Sequence, residues 1–432
     1  MKTKIYLAIL LLFHLFLILK GGYFLSPEFS LYPFLTQHGF LPYQNIIDQH
    51  FPILLFGPFS LPFPLSHNPG SLLLVLLGVT LLTDLFFYLS LLRSKSAHPL
   101  LFLTLFTAIS FYFQGNFLWL DSFISFFISL ILFLSNSKRE LSSLALGFFL
   151  SLIVIIKPTL FPLLILLPLA LAIKPNRYLL VGISLPFLVE ILYLVRFDLL
   201  SQFYNLTIRF NADSYLSGSQ KIPTLRQIIE TVFIIIAPLY LLIQRKRFVP
   251  ILLIITTSVL AFPRFEYFHL GPSLLLLIYF SSRLSLNLHS RYVFYALCFL
   301  VLSLSVIKII RHNYHNYYAD ETTLQVANSL KELPGNTLYL LGGNDLLYPL
   351  TAKTPPGFLY LPSLPWYLSN SDFQKRQIMA LSDSPLSPVI VNPSSTIDGQ
   401  NIFESAPLIA KFINSRYVKV DSVANYEIYL RP

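Results

Sequence analysis

SLLLVLLGVTLLTDLFFYLSL, residues 71–91, carries a single ionisable acid, Asp84, in an otherwise apolar or weakly polar run. As an α-helix such a run crosses a hydrocarbon core about 30 Å thick. It is too long and too little alternating for a barrel strand, which shows about ten residues of in-out pattern. Similar runs recur at 5–19, 98–113, 117–135, 141–156, 159–173, 178–195, 227–243, 249–262, 270–282 and 292–310. The reading is a polytopic α-helical membrane protein with about eleven transmembrane helices. Composition agrees: 55% of residues are hydrophobic and 12% charged, with a mean hydropathy of +0.67, more apolar than soluble domains.

The formal charge of +10 does not point to nucleic acid, because the cations are spread through short connections instead of gathering on one face. Positive-inside topology accounts for them. Lys2 and Lys4 hold the amino terminus in the cytoplasm, and alternating spans then put Arg93 with Lys95, Lys138 with Arg139, Lys174 with Arg177, Arg245 to Arg247, and Arg283 with Arg291 on that same side. The segment after 310 then starts outside the cytoplasmic membrane. No small-x-small cleavage site follows the first apolar run, so it is read as an uncleaved span. Cys298 is the only cysteine, which excludes an intrachain disulfide and a cysteine metal cluster.

Residues 1–310 are thus expected to form the transmembrane domain and 311–432 a small extracytoplasmic α/β domain. In the latter, TLYLLG (337–342), PVIVN, YVKVDS and YEIYL read as strands, and 321–333 and 402–414 as helices. Gly342-Gly343 reads as a tight turn, not a nucleotide loop. Residues 51–65 are apolar but broken by Pro52, Pro58, Pro62 and Pro64, which suits a re-entrant or interfacial piece better than a span.

Chemistry concentrates in the first outer loop, residues 21–52, GGYFLSPEFSLYPFLTQHGFLPYQNIIDQHFP. Glu28, Asp48, His38, His50 and Asn45 crowd there in a chain that spares charge elsewhere. The topology sets Asp121, Lys157, Arg209, Lys221, Arg264, Glu266 and His269 on the same side. Carboxylates and cations on one face suit group transfer from an anionic lipid: the cations hold a phosphate while a carboxylate takes a proton from an attacking hydroxyl. Asp84 and Glu190 lie deep in spans and are expected to pair within the bundle, and His14 to pack or to face lipid. An intramembrane charge costs about 2.5 to 3.5 kcal/mol on insertion scales.

Glu28, Tyr32, Gly39, Pro42-Tyr43, Asp48 and Pro52, directly after the first helix, resemble the first outer loop of GT-C glycosyltransferases. The nearest likeness is to the bacterial branch akin to protein O-mannosyltransferases and lipid A aminoarabinose transferases, and the layout of spans followed by an outer carboxy-terminal domain is similar too. The resemblance implies transfer of a hexosyl or pentosyl group from a polyprenyl-phosphate carrier to a lipid, glycan or protein acceptor outside the cytoplasmic membrane. It implies Glu28 as the general base, in the place of the family's usual aspartate, with Asp48 as the second candidate. Phe29 departs from the pattern, since relatives often carry an acid there. Tyr43, His50, Lys157, Arg264 and His269 are the implied substrate contacts, with Lys157 equally readable as a lysine snorkelling from a helix end. No cofactor is firmly implied, and the acids leave a divalent metal open.

The competing class is a polytopic transporter, or a flippase or ligase of lipid-linked glycans, in which outer charges line a path. Alternating access usually leaves two related halves. No internal duplication is visible.

Overall fold

The computed structural model describes residues 2–51, 53–61, 63–66, 68–137, 139–215, 220–284, 288–311 and 319–432. Pro52, Pro62 and Lys138 lie outside the described residues. The chain divides into two compact units, each discontinuous in sequence. One comprises Met1–Leu25, Leu73–Val189 and Ile222–Asn316; the other comprises Ser26–Leu72, Glu190–Lys221 and Tyr317–Pro432. Most of the first outer loop therefore packs with the carboxy-terminal residues, a grouping that no boundary drawn at 310 anticipates.

The first unit is helical. Gly271–Ser282 is buried from Pro272 to Ser282, as expected of a helix apolar on every side. It packs against Pro99–Tyr112, Leu120–Leu134, Leu225–Gln244 and Phe248–Ser258. Leu225–Gln244 starts at a capping box, in which Thr224 and Gln227 each satisfy the other's free backbone N–H. Its outer side instead exposes Ile229, Phe233, Ile236, Tyr240 and Ile243, a stripe that water would not favour and a hydrocarbon would.

Helices form at each of the predicted apolar runs, but they differ in reach. Among the described residues, four are long and apolar enough to cross a membrane: Lys4–Gly21, Pro69–Arg93, Arg177–Arg196 and Leu225–Gln244. Pro99–Tyr112, Leu120–Leu134, Glu140–Ile156, Phe248–Ala261 and Arg291–Ile307 are apolar but shorter. The run at 159–173 departs furthest from expectation. It breaks into a 3-10 turn, Pro158–Leu160, and the eight-residue helix Leu163–Ala170, which reaches only about 12 Å. Prolines 158 and 162 cause the break, because neither can donate to a preceding carbonyl.

The second unit holds a four-stranded mixed sheet ordered Tyr339–Leu341, Val389–Val391, Tyr426–Leu430, Val418–Val423. The first two strands are parallel and the other pairings antiparallel. The two short strands are buried at every residue, which is why they read as unbroken apolar runs. Helices Glu321–Lys331 and Ser371–Ser382 begin at side-chain caps from Asp320 and Asn370. Ser371–Ser382 was not expected from the sequence, because its amphipathic face includes the buried glutamines 374 and 377 in place of aliphatic residues. Among the described residues of 53–66 there is no span: Ile53–Leu54 pairs with Phe59–Ser60, and Phe63–Ser66 makes one helical turn.

Glu140–Ile156 and Arg177–Arg196 approach closely through two glycines. A methyl group on Gly147 would strike the Leu179 carbonyl oxygen, and one on Gly182 the Leu144 carbonyl oxygen. Such small residues let helix backbones meet inside a membrane. Gly147→Leu is expected to lower stability by about 1–3 kcal/mol or more, read as a fall in thermal midpoint of the detergent-purified protein, with Gly78→Leu, which meets open space, as the neutral control.

Candidate active site

The expected first-loop residues assemble in the second unit around one helix. Glu28–Gln37 starts directly after Pro27, with Glu28 in its first turn, where the helix dipole favours an anion. Tyr32 follows four residues later and so lies on the same face. Gly39 ends the helix with φ of +88°, and the Phe40 N–H reaches back to the Leu35 carbonyl at 3.1 Å, the pattern of a Schellman turn. The turn needs a residue without a Cβ. It sends the chain through Pro42 and Tyr43 to Asp48.

Asp48 is the most constrained acid of the site, with 3% of its surface exposed. Its Oδ2 accepts the Tyr32 hydroxyl. Its Oδ1 accepts both the His50 backbone N–H at 2.6 Å and the His50 ring at 2.8 Å. Burial alone would raise its pKa, but the His50 charge and the hydrogen bonds from His50 and Tyr32 outweigh burial and hold the carboxyl below its ordinary range. Both oxygens are committed, so Asp48 is built to stay ionised and to orient its neighbours.

Glu28 has the opposite character. It is half-buried, and burial pushes its carboxyl above the ordinary range, opposed by a 2.5 Å hydrogen bond from Ser26 Oγ and by its own backbone N–H. A carboxyl with a raised pKa and few donors is a better proton acceptor than one held down by three donors. The two acids of the loop are thus set apart by their environments.

A third acid of the second unit stands apart from the first loop in sequence. Asp345 follows the turn at Gly342-Gly343 that ends strand Tyr339–Leu341, and its Oδ2 accepts the Tyr360 hydroxyl at 2.8 Å. Burial, against the pull of Tyr360 and with the nearby charge of Glu28, pushes its carboxyl up to about 7. Tyr360 is tied to the loop by its backbone, accepting from Ile47 at 3.0 Å and donating to Asn45 at 2.8 Å. The Tyr367 hydroxyl accepts from the Gln49 N–H at 2.9 Å. The only sequence signal for Asp345 was a polar residue at the end of an apolar strand. Tyr43, an expected substrate contact, is 1% exposed and donates its hydroxyl to the His50 carbonyl at 2.9 Å, so it supports the loop from within. His50 keeps 27% of its side chain open.

Lys157, Arg264 and His269 belong to the first unit. Asp121, in the first turn of Leu120–Leu134, accepts from His269 Nδ1 at 2.8 Å, and Lys157 Nζ stands 3.8 Å from the same oxygen. Lys157 caps the carboxy-terminal end of Glu140–Ile156, where a cation is favoured. Asp121, Lys157 and His269, far apart in sequence, are thus brought into direct contact. Arg264 is half-buried. Behind this cluster lies a cavity of about 40 Å³ lined by His14, Asp84, Gln114, Asp121 and several serines and threonines. Asp84 pairs with His14 Nδ1 at 2.6 Å, as a bundle-internal role requires. Glu190, expected to pair likewise, has neither carboxylate oxygen hydrogen-bonded among the described residues.

No three His, Cys, Asp or Glu residues converge to hold a metal ion among the described residues. Comparison with known proteins finds no matching family model and no matching curated sequence.

Two outcomes test this electrostatic reading. Tyr32→Phe strips a donor from a buried carboxylate and is expected to cost about 1–3 kcal/mol at pH 7. That loss should shrink as pH falls and Asp48 takes up a proton, because a depressed carboxyl lends stability only while ionised. Asp345 behaves in reverse: its folded pKa of about 7 exceeds the ordinary 3.8, so the folded state is penalised increasingly as pH rises between those values. Asp345→Asn should raise the thermal midpoint at pH 8 and change it little at pH 4.

Proposed function

We propose that the chain is a membrane glycosyltransferase that moves a sugar from a polyprenyl-phosphate donor to a hydroxyl acceptor, with Glu28 as general base. The supporting observation is the contrast between Glu28, whose carboxyl is raised by burial and bound by few donors, and Asp48, whose two oxygens are both taken. The likeness of Glu28, Tyr32, Gly39, Pro42-Tyr43 and Asp48 to the GT-C first loop supports the same reading. Four helices fit to cross a membrane are compatible with a lipid-borne donor.

In the proposed reaction the acceptor O–H gives its proton to Glu28 as its oxygen attacks the anomeric carbon. The bond from that carbon to the phosphate oxygen breaks, its electron pair leaves with the polyprenyl phosphate, and configuration inverts. Asp48 holds His50 as a hydrogen-bond donor for the departing phosphate, and Tyr32 keeps Asp48 ionised. Proton transfer by a positioned group typically contributes 10²- to 10⁴-fold.

A second reading is transport. It draws on the polar cavity beside His14, Asp84 and Asp121, because ionisable groups inside membrane helices commonly mark an ion or proton path.

Membranes carrying the protein and a radiolabelled polyprenyl-phosphate sugar separate the two. Glycosyl transfer is expected, with Glu28→Gln lowering turnover by about 10²-fold or more at unchanged donor binding. Turnover should rise with pH as Glu28 loses its proton. Uptake or flipping of the donor without transfer, or full turnover in Glu28→Gln, would overturn the assignment.

A further inference from the structure

A cavity of about 440 Å³ opens in the first unit where several helices end. Its walls come from Leu169 to Ala172 at the end of Leu163–Ala170, from Leu242, from Phe248 to Pro250 at the start of Phe248–Ser258, and from Phe280 and Leu284. Lys246, Arg247 and Arg283 line it too, and no acidic residue does. Lys157, Arg209 and Lys221 each have a carboxylate partner, in Asp121, Asp213 and Asp398. Among the described residues Lys246, Arg247 and Arg283 have none, and each side chain is exposed.

Two further features point to an anion with a hydrocarbon tail. The helix Phe248–Ser258 begins at the cavity with no side-chain cap on its first turn, leaving N–H groups and the positive end of its dipole unanswered. From the same cavity Phe248, Leu252, Ile255 and Val259 continue as an exposed apolar stripe at helical spacing. Leu169 and Ile165 stand exposed on the neighbouring short helix. A free phosphate would use the cations and have no use for the stripe.

We propose that this cavity is a binding site for an anionic membrane phospholipid, its phosphate held by Lys246, Arg247, Arg283 and the uncapped helix start, its acyl chains lying along the Phe248–Val259 stripe. Basic pockets between membrane helices recognise such headgroups. The site is separate from the glycosyl-transfer reading and does not depend on it. By the positive-inside expectation its cations belong to the cytoplasmic leaflet.

The test is native mass spectrometry of the full chain released from nanodiscs of phosphatidylglycerol and phosphatidylcholine mixed equally, with inorganic phosphate as a competitor. Retention of phosphatidylglycerol over phosphatidylcholine is expected, falling roughly fivefold per cation removed in Lys246→Gln, Arg247→Gln and Arg283→Gln. Leu252→Ser, which keeps every charge, should shorten lipid retention and leave weak phosphate binding unchanged. Since a combined variant can fail to insert, Arg283→Gln alone, checked for an unchanged thermal midpoint in zwitterionic detergent, carries the decision. Equal retention of the two lipids by the wild-type protein would overturn the proposal. Displacement of the lipid by millimolar inorganic phosphate, with no effect of Leu252→Ser, would assign the cavity to free phosphate and overturn it as well.

Discussion

A charge removed from water must find a partner or lose its ionisation, and this chain meets that constraint at each buried acid in a different way. Asp48 is answered by Tyr32 and His50, Asp121 by His269 and Lys157, and Asp84 by His14. Lys353, 5% exposed, gives its ammonium protons to the carbonyls of Leu333 and Gly335, a bridge within the second unit. With 12% charged residues, the protein has few such groups to place. Each placement therefore decides which segments must meet, because an isolated buried charge costs several kcal/mol.

The same constraint separates roles at the candidate active site. Donors that hold Asp48 below its ordinary range make it a fixed anion that orients His50. Glu28 lacks those donors, and Asp345 is raised to about 7 by burial beside it. Three acids in one unit thus occupy three electrostatic states, and only a raised, lightly bound carboxyl is suited to accept a proton near neutral pH. Helix Glu28–Gln37 makes this arrangement mechanical: one face carries both Glu28 and the tyrosine that holds Asp48.

Much of the helical part was legible from hydropathy, since an apolar run has little choice but to bury its backbone polar groups in a helix. The run at 159–173 departs from expectation because hydropathy does not register a missing N–H: Pro158 stands just before it and Pro162 interrupts it. The four strands were legible for a related reason: β-branched and aromatic residues in short runs bounded by turn residues suit a pleated sheet. The sequence of Glu28–Gln37 carries no clear helix signal, because Pro33 lies inside it and its apolar residues show no clear period. Glu28, Asp48 and His50 were legible as a local crowd of titratable groups, whereas Asp345 and Tyr360, far along the chain in the carboxy-terminal part, were not.

By itself the sequence determined where most of the apolar helices and the four sheet strands form and which acids sit in a sparsely charged chain, because those properties depend on neighbours within a few residues. Tertiary structure alone decided that the first outer loop packs with the carboxy-terminal residues, that Tyr43 supports a loop from inside, and that Lys246, Arg247 and Arg283 share one cavity. It also decided which acid is raised and which is held down. Burial and hydrogen-bond partners set a carboxyl's proton affinity, and those partners come from segments far apart in the chain.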